Sequence, residues 1–343
     1  MTGALLEIDF WNVGQGDCTV IKLPSGRLII IDVGPRGCPL IEWLREGRRR
    51  DVQIESVILT HNDADHSGAL PTIISEFKHR IGAVWMLLDR KKDDMRFQRT
   101  FRAALVGEEE GFYKIRRVED GQLLWSHKES NTCLRIVYPT LSQNVLADDP
   151  NDTSGMIMLE ACGQNLLTWP GDLQLRTTAS VLSGKSPWML MGPHHGGPSD
   201  YPTKAVRKNL PESALKNRMT EMRAAAAALE PKRGFISVGT KNSYHHPRPG
   251  YLRLLANQGT HLVCSQLTTC CDRQRVVNAL PVFEGSGALG LRTAKSGVSC
   301  RGAMRVYLKD GELYPDEFDR NHRERVATLH RPQCLRGPDG ISQ

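Results

Sequence analysis

The most informative stretch of the chain, THNDADHSG, spans residues 60–68 and holds two histidines and two aspartates within six residues. These are His61, Asp63, Asp65 and His66. The apolar run at residues 57–59 directly before them predicts a buried strand that delivers the loop to one edge of a sheet. Imidazole nitrogens and carboxylate oxygens held this close favour a cation among them over a proton relay. The alternative is a solvated acidic turn that happens to contain histidines.

The composition is that of an ordinary globular protein. The 343 residues are 40% apolar, which suffices for a large core and favours one large domain or a domain with an appendage. No apolar run approaches the ~20 residues of a membrane helix, and the first residues lack the features of a signal peptide. We therefore expect no membrane segment and a cytoplasmic location. The nine cysteines form an odd count without a regular framework, and they are expected to be reduced there.

The net charge of +7 leans towards a polyanionic partner. Basic groups recur along the chain, for example at residues 48–50, 90–92 and 320–325, and acidic residues separate them. Each group alone is typical of a solvated surface. If several line one cleft, they would attract phosphate, and a nucleic acid would bind there with an affinity that falls with salt.

Other predicted strands also end in residues that can bind metal. Four apolar runs are each followed by Asp or His: Asp32, Asp172, the pair His194 and His195, and the pair His245 and His246. A lone histidine after a strand is more often structural, but recurrence reverses that expectation, because unrelated turns have no reason to share one side-chain chemistry. We place Asp32 behind the metal ligands, where it would orient a loop or a ligand.

The polar segment at residues 90–122 has a helical period, with Phe97, Phe101, Leu105 and Phe112 as its apolar face. We interpret it as an insertion that could overhang the site. A surface helix without contact to the substrate is the alternative of equal weight.

Taken together, these motifs resemble the metallo-beta-lactamase superfamily. The resemblance is carried by His61-x-Asp63-x-Asp65-His66, NVGQGD at 12–17, IDVG at 31–34, Gly171-Asp172, PHHG at 193–196 and SVGxxNxYxHP at 237–247. Within the superfamily, the chain is most similar to the soluble hydrolase domain of ComEC-type DNA-uptake proteins. The resemblance implies an α/β (α+β) fold, a four-layer αββα sandwich with a one- or two-metal site at one edge of the paired sheets. It covers roughly residues 5–262. We expect a hydrolase domain at 1–262 and a cysteine-containing extension at 263–343.

The resemblance also implies a set of metal ligands. His61 and Asp63 match the ligands of one ion, Asp65 and His66 those of the other, Asp172 the bridging carboxylate and His246 the late histidine of the second metal. The usual middle histidine is missing, and Asn151 or Asp152 stands where the ComEC-type branch carries its Asn-rich motif; we place Asn151 beside the site. Harder oxygen ligands shift preference from Zn²⁺ towards Mn²⁺ or Mg²⁺, so we expect one or two divalent ions, Mn²⁺ or Zn²⁺, with Mg²⁺ as the alternative.

Such a ligand set implies metal-dependent hydrolysis. Asp65 would also hold the attacking water or accept its proton. His194, His195 and Asn242 are candidates for stabilising charge on the attacked group. The sequence does not decide whether His194 or His195 completes the first metal site or touches the substrate.

The leading functional hypothesis is a phosphodiesterase, specifically a nuclease that cleaves DNA, with nucleic acid as its partner and no contact with a membrane. One alternative is a hydrolase of a small phosphoester, a cyclic nucleotide, or a C–N or thioester bond. The other is a non-catalytic binding module with a degenerate metal site. No motif indicates a protein partner.

Residues 263–343 carry several thiols and imidazoles: Cys264, Cys270, Cys271, Cys300, Cys334, His322 and His330, with His261 just before them. A structural zinc site and unliganded thiols are the two interpretations. The spacing fits no compact zinc pattern and therefore favours unliganded thiols. Residues 304–308 followed by Lys-Asp-Gly predict a strand and a hairpin turn.

Overall fold

A computed structural model describes residues 5–87, 95–147, 150–197, 209–278 and 297–316, together with residues 322, 324, 326–329, 332 and 334. The first of its two sheets contains eight strands: β1 (Leu6–Phe10), β2 (Cys18–Lys22), β3 (Leu28–Val33), β4 (Ile54–Ile58), β5 (Ile81–Met86), β6 (Lys114–Arg117), β14 (Met304–Lys309) and β15 (Glu312–Pro315). Their spatial order among the described residues is β15-β14-β1-β2-β3-β4-β5-β6.

The second sheet contains seven strands of the described chain: β7 (Leu123–His127), β8 (Thr132–Tyr138), β9 (Met156–Ala161), β10 (Gln164–Trp169), β11 (Met189–Met191), β12 (Arg233–Ile236) and β13 (His261–Cys264). They lie in the order β13-β12-β11-β10-β9-β8-β7. Strands β3 to β6 run parallel in the first sheet, as do β10 to β13 in the second. The loops that follow neighbouring parallel strands therefore meet at one sheet edge.

Helices cover the outer face of each sheet. Their bounds are α1 (Pro39–Arg45), α2 (Ala64–Ser67), α3 (Leu70–Phe77), α4 (Met95–Glu109), α5 (Leu141–Leu146), α6 (Leu175–Leu182), α7 (Glu212–Leu229), α8 (Pro249–Ala256) and α9 (Arg273–Asn278). Helices α1, α3 and α4 pack on the first sheet, and α6, α7 and α8 pack on the second. No helix in the described part of the chain is both long enough and apolar enough to span a bilayer.

The core lies between the two sheets. Ile29 and Ile31 of β3 face the second sheet, whereas Ile30 faces the helices, which explains why this strand is apolar on both faces. Across the interface, Phe10 packs against Trp169 and Phe235, with ring centroids 6.3 and 5.4 Å away. The layers are thus helix, sheet, sheet and helix, which confirms the predicted αββα sandwich.

One predicted element is only partly correct. The segment at 90–122 was expected to be helical throughout, but α4 ends at Glu109 and β6 follows at Lys114–Arg117, parallel to β5. The alternating exposure along β6 is that of an edge strand with one half-buried face, and parallel pairing with β5 outweighs its weak local pattern. Residues 88–94 of this segment lie outside the described residues.

The predicted hairpin near residue 309 is confirmed, since β14 pairs antiparallel with β15. Strand β14 also pairs antiparallel with β1 at the other end of the chain. Arg305 donates to both carboxylate oxygens of the fully buried Asp9, at 2.5 and 2.9 Å. The boundary at residue 262 stays a prediction, but two strands from the predicted extension lie within the first sheet.

Candidate metal centre

The central loop joins β4 to the short helix α2. Ser67 stabilises the loop, because its hydroxyl donates a shared hydrogen bond to the carbonyl oxygens of Asn62 and Asp63, each at 3.0 Å. The loop also lies against Gly16, where an added Cβ would come within 2.2 Å of the Asp65 carbonyl oxygen. Gly16 has a φ of +125°, which L side chains rarely adopt. Gly16, the second glycine of the NVGQGD motif, is therefore required for the central loop to pack against this turn.

Asp32 connects the end of β3 to this loop. Its Oδ1 accepts the backbone N–H of Thr60 at 2.8 Å, and its Oδ2 accepts the Thr60 hydroxyl at 2.7 Å. Oδ2 also lies 2.8 Å from Nδ1 of His66. A proton on Nδ1 leaves the lone pair on Nε2, which faces the site. These bonds are the ones expected of a residue that orients a loop and a ligand, the role we predicted for Asp32.

Asp172 lies at the centre of the site, with imidazoles on both sides of its carboxylate. Its Oδ2 is 3.3 Å from Nε2 of His61 and 3.6 Å from Nε2 of His194. Its Oδ1 is 3.3 Å from Nε2 of His66 and 3.6 Å from Nε2 of His195. The two nitrogens on the Oδ1 side are 3.1 Å apart. This carboxylate therefore separates two groups of candidate ligands.

Asp63 and Asp65 lie on opposite sides of this arrangement. An Asp63 oxygen is 3.9 Å from His61 Nε2, and an Asp65 oxygen is 3.2 Å from His195 Nε2. Both side chains are about 30% exposed, at 33% and 28%, whereas that of Asp172 is 5% exposed. The central motif thus supplies one buried histidine and one more exposed carboxylate to each side.

The structure distinguishes the two late histidine motifs. His195 Nδ1 lies 2.9 Å from the Ser237 carbonyl oxygen, so its Nε2 is turned towards Asp65 and His66. The His246 ring lies farther out, with its centroid 6.5 Å from that of His195. His195 therefore occupies the position beside Asp65 and His66 that we expected for His246. The role of His246 as a ligand stays a prediction.

Asn242 binds backbone groups of its own loop. Its amide nitrogen donates to the carbonyl oxygens of Gly239 and His246 at 2.7 and 2.9 Å, and its oxygen accepts the N–H of His246 at 2.8 Å. These bonds position His246, and a direct role for Asn242 in stabilising charge stays a prediction. Asn151 lies in a short 3₁₀ turn, Pro150–Thr153, which leads to Ser154, and the Ser154 hydroxyl accepts the N–H of Asp172 at 3.2 Å.

One residue at the site was not singled out from the sequence. Asp17 lies 3.6 Å from Nδ1 of His195, and it forms a possible metal-binding group with His66 and His195. The available signal was topological. Because β2 runs antiparallel to β3, a residue just before β2 lies at the same sheet edge as the end of β3.

Strong electrostatic coupling links the buried groups. Burial alone would lower the pKa of His66, but the carboxylates of Asp32 and Asp172 outweigh it and raise that pKa well above its usual value. In the same way, burial of His195 is outweighed by Asp17 and Asp172, and its pKa rises to about 9. Burial would raise the pKa of Asp172, yet His61 and His66 hold it well below its usual range. The ion-free site therefore balances its carboxylates with protonated histidines.

The donor set fits divalent metal. His61 Nε2 and Asp172 Oδ1 are buried without a hydrogen-bond partner among the described residues. The ligand atoms of His61, His66 and Asp172 lie within 4.8 Å of one another. Buried polar atoms without partners destabilise a fold, and a cation between them would satisfy both. Imidazole and carboxylate are ligands that suit Mn²⁺ and Zn²⁺.

A cavity of about 1080 Å³ is lined in part by Asp63 and Asp65, the two half-buried aspartates of the central motif. Its lining includes Gln15, Arg36, Arg99, Thr100 and Tyr244. Two of these residues belong to α4, so this helix borders the cavity, in agreement with the interpretation of an overhanging insertion. Arg36, Arg99 and Tyr244 are exposed and give the rim two cations and an aromatic ring, while Asp63 and Asp65 place two carboxylates in the same lining.

Comparison with known proteins supports this description. Residues 11–147 match the family model of the metallo-beta-lactamase superfamily. ComE operon protein 3 of Bacillus subtilis (strain 168) is 25% identical over 275 residues, a match that covers 73% of this chain and 30% of that protein. The chain thus spans less than a third of the length of this relative.

Two solved structures are similar to part of the chain. The metallo-beta-lactamase fold protein YhfI from Bacillus subtilis is 10% identical, with a TM-score of 0.43 over 76% of this chain and 96% of its own. A long form RNase Z from yeast is 10% identical, with a TM-score of 0.40 over 70% of this chain and 38% of its own. The family match over residues 11–147, the ComE relative and the ligand-bearing edge of the paired sheets support a metallo-beta-lactamase superfamily hydrolase related to ComE operon protein 3.

Proposed function

We propose that this chain is a metal-dependent phosphodiesterase whose substrate is DNA. The observation that carries the proposal is the Asp172 carboxylate, which has imidazole nitrogens at 3.3 to 3.6 Å from each of its two oxygens. A carboxylate with ligands on both sides suits two divalent ions. Paired ions of this kind are typical of enzymes that hydrolyse phosphodiesters.

The proposed ligands divide into two groups around Asp172. The first group is His61, Asp63 and His194; the second is Asp65, His66 and His195. In this assignment His194 supplies the nitrogen that the central motif lacks. Ions held there would lower the pKa of a water molecule and polarise the phosphoryl oxygen under attack.

The residues of the chain prepare the site for this chemistry. The carboxylate of Asp32 and the carbonyl oxygen of Ser237 hold the Nδ1 protons of His66 and His195, so both Nε2 lone pairs point inwards. Asp65 borders the cavity. Burial would raise the pKa of Asp65, but His195 and His66 outweigh it and hold that pKa below its usual range. An ionised carboxylate in that place can align the attacking water and accept its proton.

The cavity rim supports a nucleic acid as the substrate. Arg36 and Arg99 place positive charge where a phosphate backbone would pass. Tyr244, which is 61% exposed, offers a ring on which a base could stack.

Cleavage assays on metal-stripped protein test the proposal. We expect single- or double-stranded DNA to be cut after addition of Mn²⁺, Zn²⁺ or Mg²⁺, and the Asp65→Asn variant to lose about 10²-fold or more of that rate. Asp120→Asn, an exposed carboxylate on another loop, is the matched control and should cleave normally. Turnover of a cyclic nucleotide or another small ester without DNA cleavage would reject the proposed substrate.

Metal analysis of the same preparations tests the ligand assignment. His195→Ala should lower the content of bound divalent metal, whereas His246→Ala should retain it and lose activity. Loss of bound metal in His246→Ala but not in His195→Ala would show that His246, and not His195, is the metal ligand. Absence of bound metal and of all hydrolysis in the unmodified protein would favour a non-catalytic binding module.

A further inference from the structure

We propose that Cys264, Cys300, His322 and Cys334 form a structural zinc site, separate from the hydrolytic centre. The ligand atoms of Cys300, His322 and Cys334 lie within 4.8 Å of one another. The Cys334 thiol also contacts the thiol of Cys264. The four side chains thus form a Cys₃His set, one of the common combinations in structural zinc sites.

The backbone holds the first two ligands side by side. Residues 264–267 run antiparallel to residues 298–301, through a bridge between Gln266 and Ser299. The N–H of Arg301 donates to the carbonyl oxygen of Cys264 at 2.8 Å, and that of Cys300 donates to Ser265 at 3.1 Å. Cys264 ends β13 in the second sheet. Two of the four ligands are therefore fixed by the framework of the fold.

The other two ligands come from the C-terminal segment. His322 Nε2 lies 3.4 Å from the Cys300 sulfur, and Cys334 contacts Cys264, Cys300 and His322. In a tetrahedral site, Zn–S bonds of 2.3 Å place sulfur atoms about 3.7 Å apart. Small adjustments of these side chains would reach that geometry.

The surroundings of the cluster favour a cation. All four residues are at most 7% exposed, and the three cysteines belong to the apolar cluster between the second sheet and its helices. Thiols and an imidazole gathered in a buried, apolar cluster are the soft ligands that suit zinc.

The four proposed ligands are far apart in the sequence, and zinc would join segments that the chain does not place side by side. The residues lie at positions 264, 300, 322 and 334, so no compact zinc motif is visible in the sequence. Val326 and Leu329 pack into the same apolar cluster as Cys264 and Cys300. Zinc at this place would attach the C-terminal segment to the edge of the second sheet, and its binding would add to the stability of the fold.

Metal analysis of an active-site variant tests the site. A His61→Ala/His66→Ala/Asp172→Ala triple variant removes ligands from both groups of the hydrolytic centre and should still retain one zinc ion per chain. Adding Cys334→Ser should remove that zinc. Cys38→Ser is the matched control, because Cys38 is a buried cysteine in a different apolar cluster, and the zinc content should not change.

Cobalt substitution gives a second measurement that does not depend on the folding of any variant. Co²⁺ in a Cys₃His site should show intense sulfur-to-cobalt charge-transfer absorption, whereas the His and Asp ligands of the hydrolytic centre contain no thiolate. Loss of all zinc from the active-site variant, or cobalt spectra without that absorption, would overturn the proposal. A disulfide among Cys264, Cys300 and Cys334, detected by mass analysis after alkylation without reduction, would also overturn it.

Discussion

At the scale of single residues, Asp32 shows how one buried carboxylate organises the site. It accepts hydrogen bonds from the backbone and hydroxyl of Thr60 and contacts His66 Nδ1. It thereby fixes both the loop that follows β4 and the orientation of a candidate ligand. An amide at this position has only one acceptor oxygen and cannot replace all three bonds.

The Asp32→Asn variant should therefore bind metal about 10- to 100-fold more weakly, because the loss of a partner that orients a ligand typically has that effect. Competition with a chromophoric chelator measures the affinity. Asp9→Asn is a suitable control, since Asp9 is equally buried but binds Arg305. That control should lose stability and keep its metal affinity. Equal metal affinity in Asp32→Asn and the unmodified protein would contradict the role assigned to Asp32.

Protonation of the histidines predicts how metal binding depends on pH. Burial of His195 is outweighed by Asp17 and Asp172, so its pKa is about 9 in the ion-free protein, and the pKa of His66 is also raised. A ring that carries a proton on Nε2 must lose it before that atom can bind an ion. Affinity should rise with pH up to about 9, and calorimetry in buffers of different ionisation enthalpy should detect proton release. Binding at pH 7 without proton release would contradict this electrostatic account.

At the scale of elements, α4 borders the cavity through Arg99 and Thr100. Phe97 and Phe101 pack against the apolar cluster of the first sheet and its helices, and the Tyr113 hydroxyl, next to β6, donates to the Ala104 carbonyl oxygen at 2.8 Å. These contacts hold the helix against the first sheet. The exposed Arg99 can therefore meet a substrate from a fixed position.

Arg99→Ala should weaken DNA binding without changing the fold. The removal of one phosphate contact should reduce the slope of log affinity against log salt by about one unit. The measurement is a titration of DNA at several salt concentrations. Arg102→Ala, one turn along α4 and outside the cavity lining, is the matched control. The same salt slope in Arg99→Ala as in the control would show that α4 does not contact the backbone of DNA.

At the scale of the whole molecule, the two ends of the described chain meet in the first sheet. Strand β14 pairs with β1, and Arg305 makes a bidentate ion pair with Asp9, which is fully buried. Burial would lower the pKa of Arg305, but the bonds to Asp9 raise it above its usual range. The fold therefore depends on residues that are nearly three hundred positions apart.

Arg305→Ala should lower the free energy of unfolding by about 3–5 kcal/mol, because it removes the bidentate partner of the buried Asp9 carboxylate and leaves Lys22, 3.8 Å away, as a weaker one. Denaturant unfolding measures this loss. The double variant Asp9→Leu/Arg305→Met should recover much of it, since neither charge remains. A loss below about 1 kcal/mol in the single variant would mean that water reaches Asp9.

The sequence by itself determined the parts that depend on neighbours along the chain. Apolar runs marked β3 and β4, and the spacing of His61, Asp63, Asp65 and His66 identified the metal loop, because both signals are local. Because several predicted strands end in Asp or His, the sequence also predicted that Asp172 and a late histidine would lie beside the metal loop, since parallel strands deliver their loops to one edge of a sheet.

Only the tertiary structure decided which distant residues complete the sites. His195 lies beside Asp65 because the loop after β11 folds back to bond with Ser237, and Asp17 reaches it through antiparallel pairing of β2 and β3. Edge strand β6 was missed for the same reason, and the sequence could not tell which of the late cysteines and histidines lie together. These features depend on pairing and packing between segments far apart in sequence, and no local pattern of residues encodes such contacts.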